Sequence, residues 1–333
     1  MTQDIQARPY SKDYEITDAM FGAFRAPGGA RFFWKLFLWT TLLMTAISLV
    51  ALPPIVTAYT DLFGNLMTAD PEDPAAAEVA LGGIGRIYAW FGVFFLGYIL
   101  IASIARAAFF RHYFFGTDDG VFPFRFGGDE LRQIAAQLGY WLIYLLATII
   151  GSFVMAIVIG VVAGVAVVGG DSVVAAVIAG AIAVVGYLAF LAFLIWVSIR
   201  LLPASALTAL RRKVHVFAAR KVSANRFWAL FGSLLVAGII AYVVAYAGYI
   251  LAGVVGFSSI ASSGVLEGLT EGSASEGLDA LSGLTQSSGF RLFALFAILI
   301  VSLGQSFFVL LLAGPPAFFT RQWHESDPTD VFL

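Results

Sequence analysis

Between Arg200 and Arg226 the chain carries Arg200, Arg211, Arg212, Lys213, Arg220, Lys221 and Arg226 and not one Asp or Glu. Dense fixed cations with no neighbouring acid do two things beside a membrane: they attract anionic headgroups or an acidic partner, and they hold their segment on the cytoplasmic side. Arg211, Arg212, Lys213, Arg220, Lys221 and Arg226 therefore form the candidate site for lipids or an acidic partner. Nucleic acid is not an expected partner, because the basic segment is short and lies between two long apolar runs.

A second set of residues is polar but uncharged. Gln137, Tyr140, Tyr144 and Thr148 recur at helical spacing, as do Tyr242, Tyr246 and Tyr249, and again Ser302, Gln305 and Ser306. Hydroxyl and amide groups in hydrocarbon seek partners, so these faces are expected to point into a helix bundle. Tyr140, Tyr144, Tyr242, Tyr246 and Gln305 mark a candidate intramembrane polar pocket for a lipid or small amphiphile. No acid lies in the middle of an apolar run, so a proton- or sodium-coupled carrier would lack its usual carboxylate.

Catalytic patterns are missing. The chain has no HExxH, GxSxG or P-loop, its three histidines His112, His215 and His324 are far apart in sequence, and it has no cysteine. Asp118 and Asp119 precede Gly120 and read as a turn. No enzyme activity, cofactor or metal site is expected.

The elements that must position these residues are set by composition. Of the 333 residues 60% are apolar and 12% charged, and the mean hydropathy is +0.90. Such a chain has too little polar surface for water. Apolar runs at 36–56, 88–110, 139–167, 173–199, 227–256 and 292–313 each reach the roughly 18–20 residues that cross a hydrocarbon core of about 30 Å. They are unbroken, whereas barrel strands alternate, so the expected fold is an all-α membrane bundle of six helices. Residues 134–200 fit two long helices or three short ones. Two are chosen, because three would place the basic segment opposite Arg111, Arg125 and Arg132.

With six spans, the loops at 57–87, 168–172 and 257–291 share one side. They hold ten acids, Asp61, Asp70, Glu72, Asp73, Glu78, Asp171, Glu267, Glu271, Glu276 and Asp279, against the two bases Arg86 and Arg291. Both termini are then cytoplasmic. Residues 1–31 form a cytoplasmic segment without the pattern of a cleaved signal peptide, 32–320 the membrane domain, and 321–333 a cytoplasmic tail.

Interfacial amphipathic helices are expected ahead of two spans. Ile16, Ala19, Met20 and Phe24 share one helical face, and Leu207, Leu210, Val214 and Phe217 share another. The Ser- and Gly-rich stretch 258–289 is either flexible or a short surface helix at 265–281. Ser152, Ala156, Gly160 and Gly164, opposite Ala175, Ala179 and Ala183, predict close packing of the third and fourth spans. Gly248, Ala252 and Gly256 extend the pattern to the fifth. Pro53 with Pro54 and Pro315 with Pro316 mark helix ends or kinks. Gly128 and Asp129 look like the cap of the third span. Arg31-Phe32-Phe33-Trp34-Lys35-Leu36-Phe37 matches Arg226-Phe227-Trp228-Ala229-Leu230-Phe231, as an ancient duplication or a shared interface requirement would produce.

Residues 216–235, VFAARKVSANRFWALFGSLL, together with FRFGGDELR at 124–132 and the general layout, resemble bacterial polytopic proteins related to the membrane domain attached to some glycerophosphodiester phosphodiesterases. The layout is similar to uncharacterised alphaproteobacterial inner-membrane proteins. The resemblance implies a bacterial inner membrane and a membrane part without catalytic residues. The expected function is non-catalytic organisation of lipids or protein partners at the cytoplasmic leaflet; the alternative is a transporter or channel for a small or lipid-like solute.

The charge asymmetry makes a direct prediction. Green fluorescent protein fused after Leu333 should fluoresce in the cell, and alkaline phosphatase inserted within 262–287 should be active outside it. An active phosphatase at the C-terminus would reverse the topology.

Overall fold

The computed structural model describes residues 16–25, 28–68, 74–117, 120–168, 173–224, 226–261 and 288–326. Asp118, Asp119, Asp171 and the stretch 265–281, expected to be either flexible or a short surface helix, lie outside the described residues, which contain helices and no strand. The helices are α1 (Ile16–Arg25), α2 (Gly29–Thr68), α3 (Pro74–Phe115), α4 (Gly128–Val168), α5 (Val173–Leu201), α6 (Pro203–Arg211), α7 (Ala219–Ala224), α8 (Phe227–Ala261), α9 (Ser288–Leu311) and α10 (Gly314–Ser326). Six of them, α2, α3, α4, α5, α8 and α9, contribute segments long and apolar enough to cross a membrane.

Their outer faces agree with that solvent. Leu142, Phe153, Val185, Ile239 and Leu292 are all exposed, an apolar surface that water would not tolerate. The helices outrun the apolar windows: α2, α3 and α4 are 40, 42 and 41 residues long. At 1.5 Å per residue each is about 60 Å, twice the hydrocarbon thickness. Hydropathy thus located the spans but not the helix ends, because backbone hydrogen bonding continues through any sequence without a breaker. Even Pro53 and Pro54 lie inside α2, and the Thr57 hydroxyl donates to the Pro53 carbonyl at 3.1 Å. Pro315 and Pro316 do mark a boundary, occupying the first turn of α10 just past the end of α9, where missing amide hydrogens cost nothing.

The chain divides into two compact units. One comprises the described residues within 27–130 and 236–313. Here α2 packs along α3, and α9 packs on both. Close approach is made at glycines: a Cβ on Gly97 would collide with the Ile47 side chain, and one on Gly304 would lie 3.1 Å from the Ala245 backbone. The connection from α3 to α4 is pinned to α2, since Lys35 Nζ donates to the Gly120 carbonyl at 2.6 Å and Trp39 Nε1 to that of Val121 at 3.0 Å. The Arg111 guanidinium binds the Glu130 carboxylate, and both side chains are largely buried, at 11% and 3% exposed. It also donates to the Pro123 carbonyl at 3.2 Å. Glu130 in turn accepts the Gly127 amide at 3.1 Å. A glutamate three residues into a helix that reaches back to the amide ahead of its first turn is half of a capping box. The cap of α4 is therefore carried by Glu130.

The other unit comprises the described residues within 1–26, 131–235 and 314–333. Its core is Ala19, Ile199, Leu207, Val222, Leu230 and Phe319, drawn from α1, α5, α6, α7, α8 and α10. α10 packs against α1, α6 and α7. Gln133 of α4 and Ser205 of α6 bond reciprocally: Gln133 Nε2 donates to the Ser205 carbonyl at 2.7 Å, and the Ser205 hydroxyl donates to Gln133 Oε1 at 2.5 Å.

Three expectations are corrected. On the α1 face expected to lie in the interface, Ala19 and Met20 are buried, Ala19 in the core with Leu207 and Phe319, while Ile16 is exposed. Protein covers these residues where a lipid surface was expected to. The helix expected across Leu207, Leu210, Val214 and Phe217 stops at Arg211, because Arg212 turns left-handed at φ 52°. Leu207 is fully buried, whereas Val214 and Phe217 lie beyond the break and are exposed. Finally, Ser152 and Gly160 of the small-residue ridge face outward, and among the described residues nothing would meet a Cβ at Gly160 or Gly164; the Ala175 side chain lies outside the description. α4 and α5 meet instead through Phe190 seated over Gly151 and Met155 over Gly186. A ring or thioether filling a glycine notch holds the two backbones apart, where a small-on-small ridge would draw them together.

The matching span entrances share local geometry. Phe33 stacks on Phe37 with centroids 6.5 Å apart and Phe227 on Phe231 at 6.3 Å. Trp34 and Trp228 meet those second rings edge-on.

Gly314 offers a test of the α1–α10 crossing, because a Cβ there would lie 2.9 Å from the Met20 carbonyl oxygen. Gly314→Ala should lower stability by about 1–3 kcal/mol, read as a lower thermal midpoint in detergent. Gly160→Ala, in open space inside a helix, should be neutral or stabilising by up to about 1 kcal/mol.

Candidate functional site

The basic residues come from two short helices, the turn between them and, for Arg226, the residue just ahead of α8. α6 begins at Pro203, whose fixed φ suits a first turn, and its left-handed end at Arg212 turns the chain toward α7. Leu207 and Val222 anchor the two helices in the core. α7 keeps its cations Arg220 and Lys221 exposed, away from that buried side.

The six predicted cations fall into two groups. Arg212, Lys213, Arg220 and Lys221 are exposed. Arg211 and Arg226 are half-buried and engage α10: the Arg211 guanidinium lies 5.0 Å from the centre of the Trp323 ring, and Arg226 Nη1 donates to Gln322 Oε1. Both therefore tie the basic segment to α10, a role that sequence alone could not assign because Gln322 and Trp323 are about a hundred residues away.

By sequence alone Arg200 is one more cation of the charge pattern. In the structure its guanidinium lies 5.6 Å from the Trp196 ring centre and 5.7 Å from that of Phe227. The Ser223 hydroxyl donates to the Arg200 carbonyl at 3.4 Å. The i, i+4 spacing of Trp196 and Arg200 was a usable signal, since such residues share a helical face.

The candidate polar-pocket residues have separate settings. Tyr140 and Tyr144 are half-buried and stacked on each other with centroids 6.3 Å apart. Tyr242 and Tyr246 are also stacked, at 5.7 Å, but are 63% and 52% exposed. Each pair is an i, i+4 contact along its own helix. Gln305 is half-buried, and its Oε1 has no hydrogen-bond partner among the described residues. The same holds for the buried hydroxyls of Ser302 and Ser306 on α9 and of Thr41 and Thr45 on α2. Thr41 and Thr45 were missed in the sequence because threonine is common in apolar helices, where its hydroxyl often bonds its own backbone.

Among the described residues no group of three or more His, Cys, Asp or Glu stands close enough to hold a metal ion. His112 stacks on Phe32 with centroids 4.0 Å apart. Six helices long and apolar enough to cross a membrane define a multi-pass membrane protein, and a basic, aromatic-edged cluster lies between the end of α5 and the start of α8. No family model, curated protein or solved structure matches the chain.

Proposed function

We propose that this chain is a non-catalytic protein of the bacterial inner membrane, with both termini in the cytoplasm, that organises anionic lipids or acidic membrane partners at the cytoplasmic leaflet. The observation that carries the reading is the exposed set Arg212, Lys213, Arg220 and Lys221, presented by α7 and by the turn between α6 and α7, two helices anchored in the core through Leu207 and Val222. A base held near an anionic leaflet contributes on the order of 1 kcal/mol. Four on one cluster are enough to enrich anionic lipid around it.

The test is the lipid that accompanies the purified full chain. From membranes containing phosphatidylglycerol and phosphatidylethanolamine, the protein should carry phosphatidylglycerol above its bulk fraction. Charge reversal at Arg212, Lys213, Arg220 and Lys221 together should return that fraction to bulk, with the thermal midpoint retained. An unchanged fraction would overturn the reading.

A second reading is a pathway for a small or lipid-like solute. It is favoured by five buried oxygens without hydrogen-bond partners among the described residues, on Thr41, Thr45, Ser302, Gln305 and Ser306, carried by α2 and α9, which pack together. Burying a polar group unpaired costs about 1–3 kcal/mol each, which water or a polar solute would recover. The chain contains no cysteine, so Ser306→Cys provides a unique thiol. Rapid modification by a membrane-impermeant methanethiosulfonate reagent would support a water-filled pathway, and a thiol inert until the protein is denatured would overturn it.

A further inference from the structure

A cleft of about 500 Å³ opens beside the end of α5 and the start of α8, lined by Trp196, Arg200, Ala224, Arg226, Phe227, Trp228 and Ala229. Its lining has two guanidinium groups and no acid. We propose that this cleft binds the phosphate of an anionic lipid headgroup, with Arg200 and Arg226 as its ligands; the inference rests on the lipid reading above and gives it one defined site.

Four observations converge on phosphate. The Arg200 guanidinium is held near Trp196 and Phe227, and its Nε is buried with no hydrogen-bond partner among the described residues. An arginine fixed in this way loses little further freedom on binding, and its planar fork matches phosphate oxygens two at a time. Arg226 brings a second guanidinium to the same cleft, positioned by its bond to Gln322. The remaining lining includes Phe227, Trp228 and Ala229, the first turn of α8. The positive end of a helix dipole there favours an anion.

The lipid source follows from the rim. Trp196 and Trp228 are 45% and 76% exposed at the cleft, and exposed indoles at the ends of apolar helices sit at headgroup depth. The long apolar faces of α5 and α8 continue from the same point, where acyl chains would lie. A soluble phosphate would gain nothing from that continuity.

The test uses the full chain in detergent, with phosphatidic acid, phosphatidylcholine and inorganic phosphate as separate probes, read by native mass spectrometry and by the shift in thermal midpoint. The wild type should hold one phosphatidic acid at lipid concentrations where phosphatidylcholine gives no adduct. Arg200→Gln and Arg226→Gln should each weaken that binding at least tenfold. Arg200→Lys keeps the charge near Trp196 but loses the fork, so it should weaken binding at an unchanged ligand-free midpoint; should Arg200→Gln not fold, this variant decides the matter. Undiminished binding in Arg200→Lys and Arg226→Gln overturns the inference. Inorganic phosphate that binds as tightly as phosphatidic acid overturns the lipid source. Reversing Arg212, Lys213, Arg220 and Lys221, all outside the cleft, should remove general phosphatidylglycerol enrichment and leave the single adduct. An adduct that survives in the Arg200 and Arg226 variants while the charge reversal abolishes enrichment is failure of this site alone; an adduct lost in those variants with enrichment untouched by the reversal is failure of the broader reading alone.

Discussion

Backbone amides and carbonyls cannot be left unpaired in hydrocarbon, at several kcal/mol per group. The architecture follows from that constraint. Each apolar run must satisfy its own hydrogen bonds, so it becomes a helix, and the helix continues past the membrane until the sequence stops it. The same constraint governs polar side chains within the helices. Thr40, Ser103, Thr148, Ser198 and Ser233 each donate to the carbonyl four residues back, at 2.7–2.9 Å. These hydroxyls are satisfied locally and carry no information about a site. Those of Thr41, Thr45, Ser302 and Ser306 are not so satisfied, which is why they matter to the pathway reading.

At the basic end a different balance operates. A cation near the end of an apolar helix is hydrated on one side and faces aromatic rings on the other. Arg200 and Arg211 lie near the rings of Trp196, Phe227 and Trp323, and Arg226 binds an amide oxygen. Four further cations remain exposed. One run of charge in the sequence therefore separates into groups that hold the short helices together and groups that present charge. The buried Arg111–Glu130 pair shows what happens when charge is taken inside: it is retained only with the Pro123 carbonyl and the Gly127 amide completing its hydrogen bonds. Removing one partner from such a pair typically costs about 3–5 kcal/mol, because the other is left buried and uncompensated.

Packing between the apolar helices uses glycine notches filled by large side chains, Ile47 over Gly97, Phe190 over Gly151 and Ile300 over Gly248, beside one small-on-small approach of Gly304 to Ala245. A list of small residues does not distinguish this arrangement from a close ridge of small on small. Gly248 does lie at a contact, as its spacing with Ala252 and Gly256 implied, whereas Gly160 and Gly164 do not. The difference lies in which large residue from another helix reaches the notch, and that is a property of two segments together.

The number of apolar helices, the all-α class and the concentration of cations between Arg200 and Arg226 were determined by the sequence itself. Each depends on composition within a single window, where hydrophobic transfer and local hydrogen bonding dominate. Only the tertiary structure decided that α1 buries Ala19 against protein, that Arg212 breaks the expected helix, that Arg211 and Arg226 are bound to α10, and that Arg200 shares a cleft with Arg226. Those outcomes turn on contacts between residues distant in the chain, whose free energies depend on shape and partner rather than on residue type.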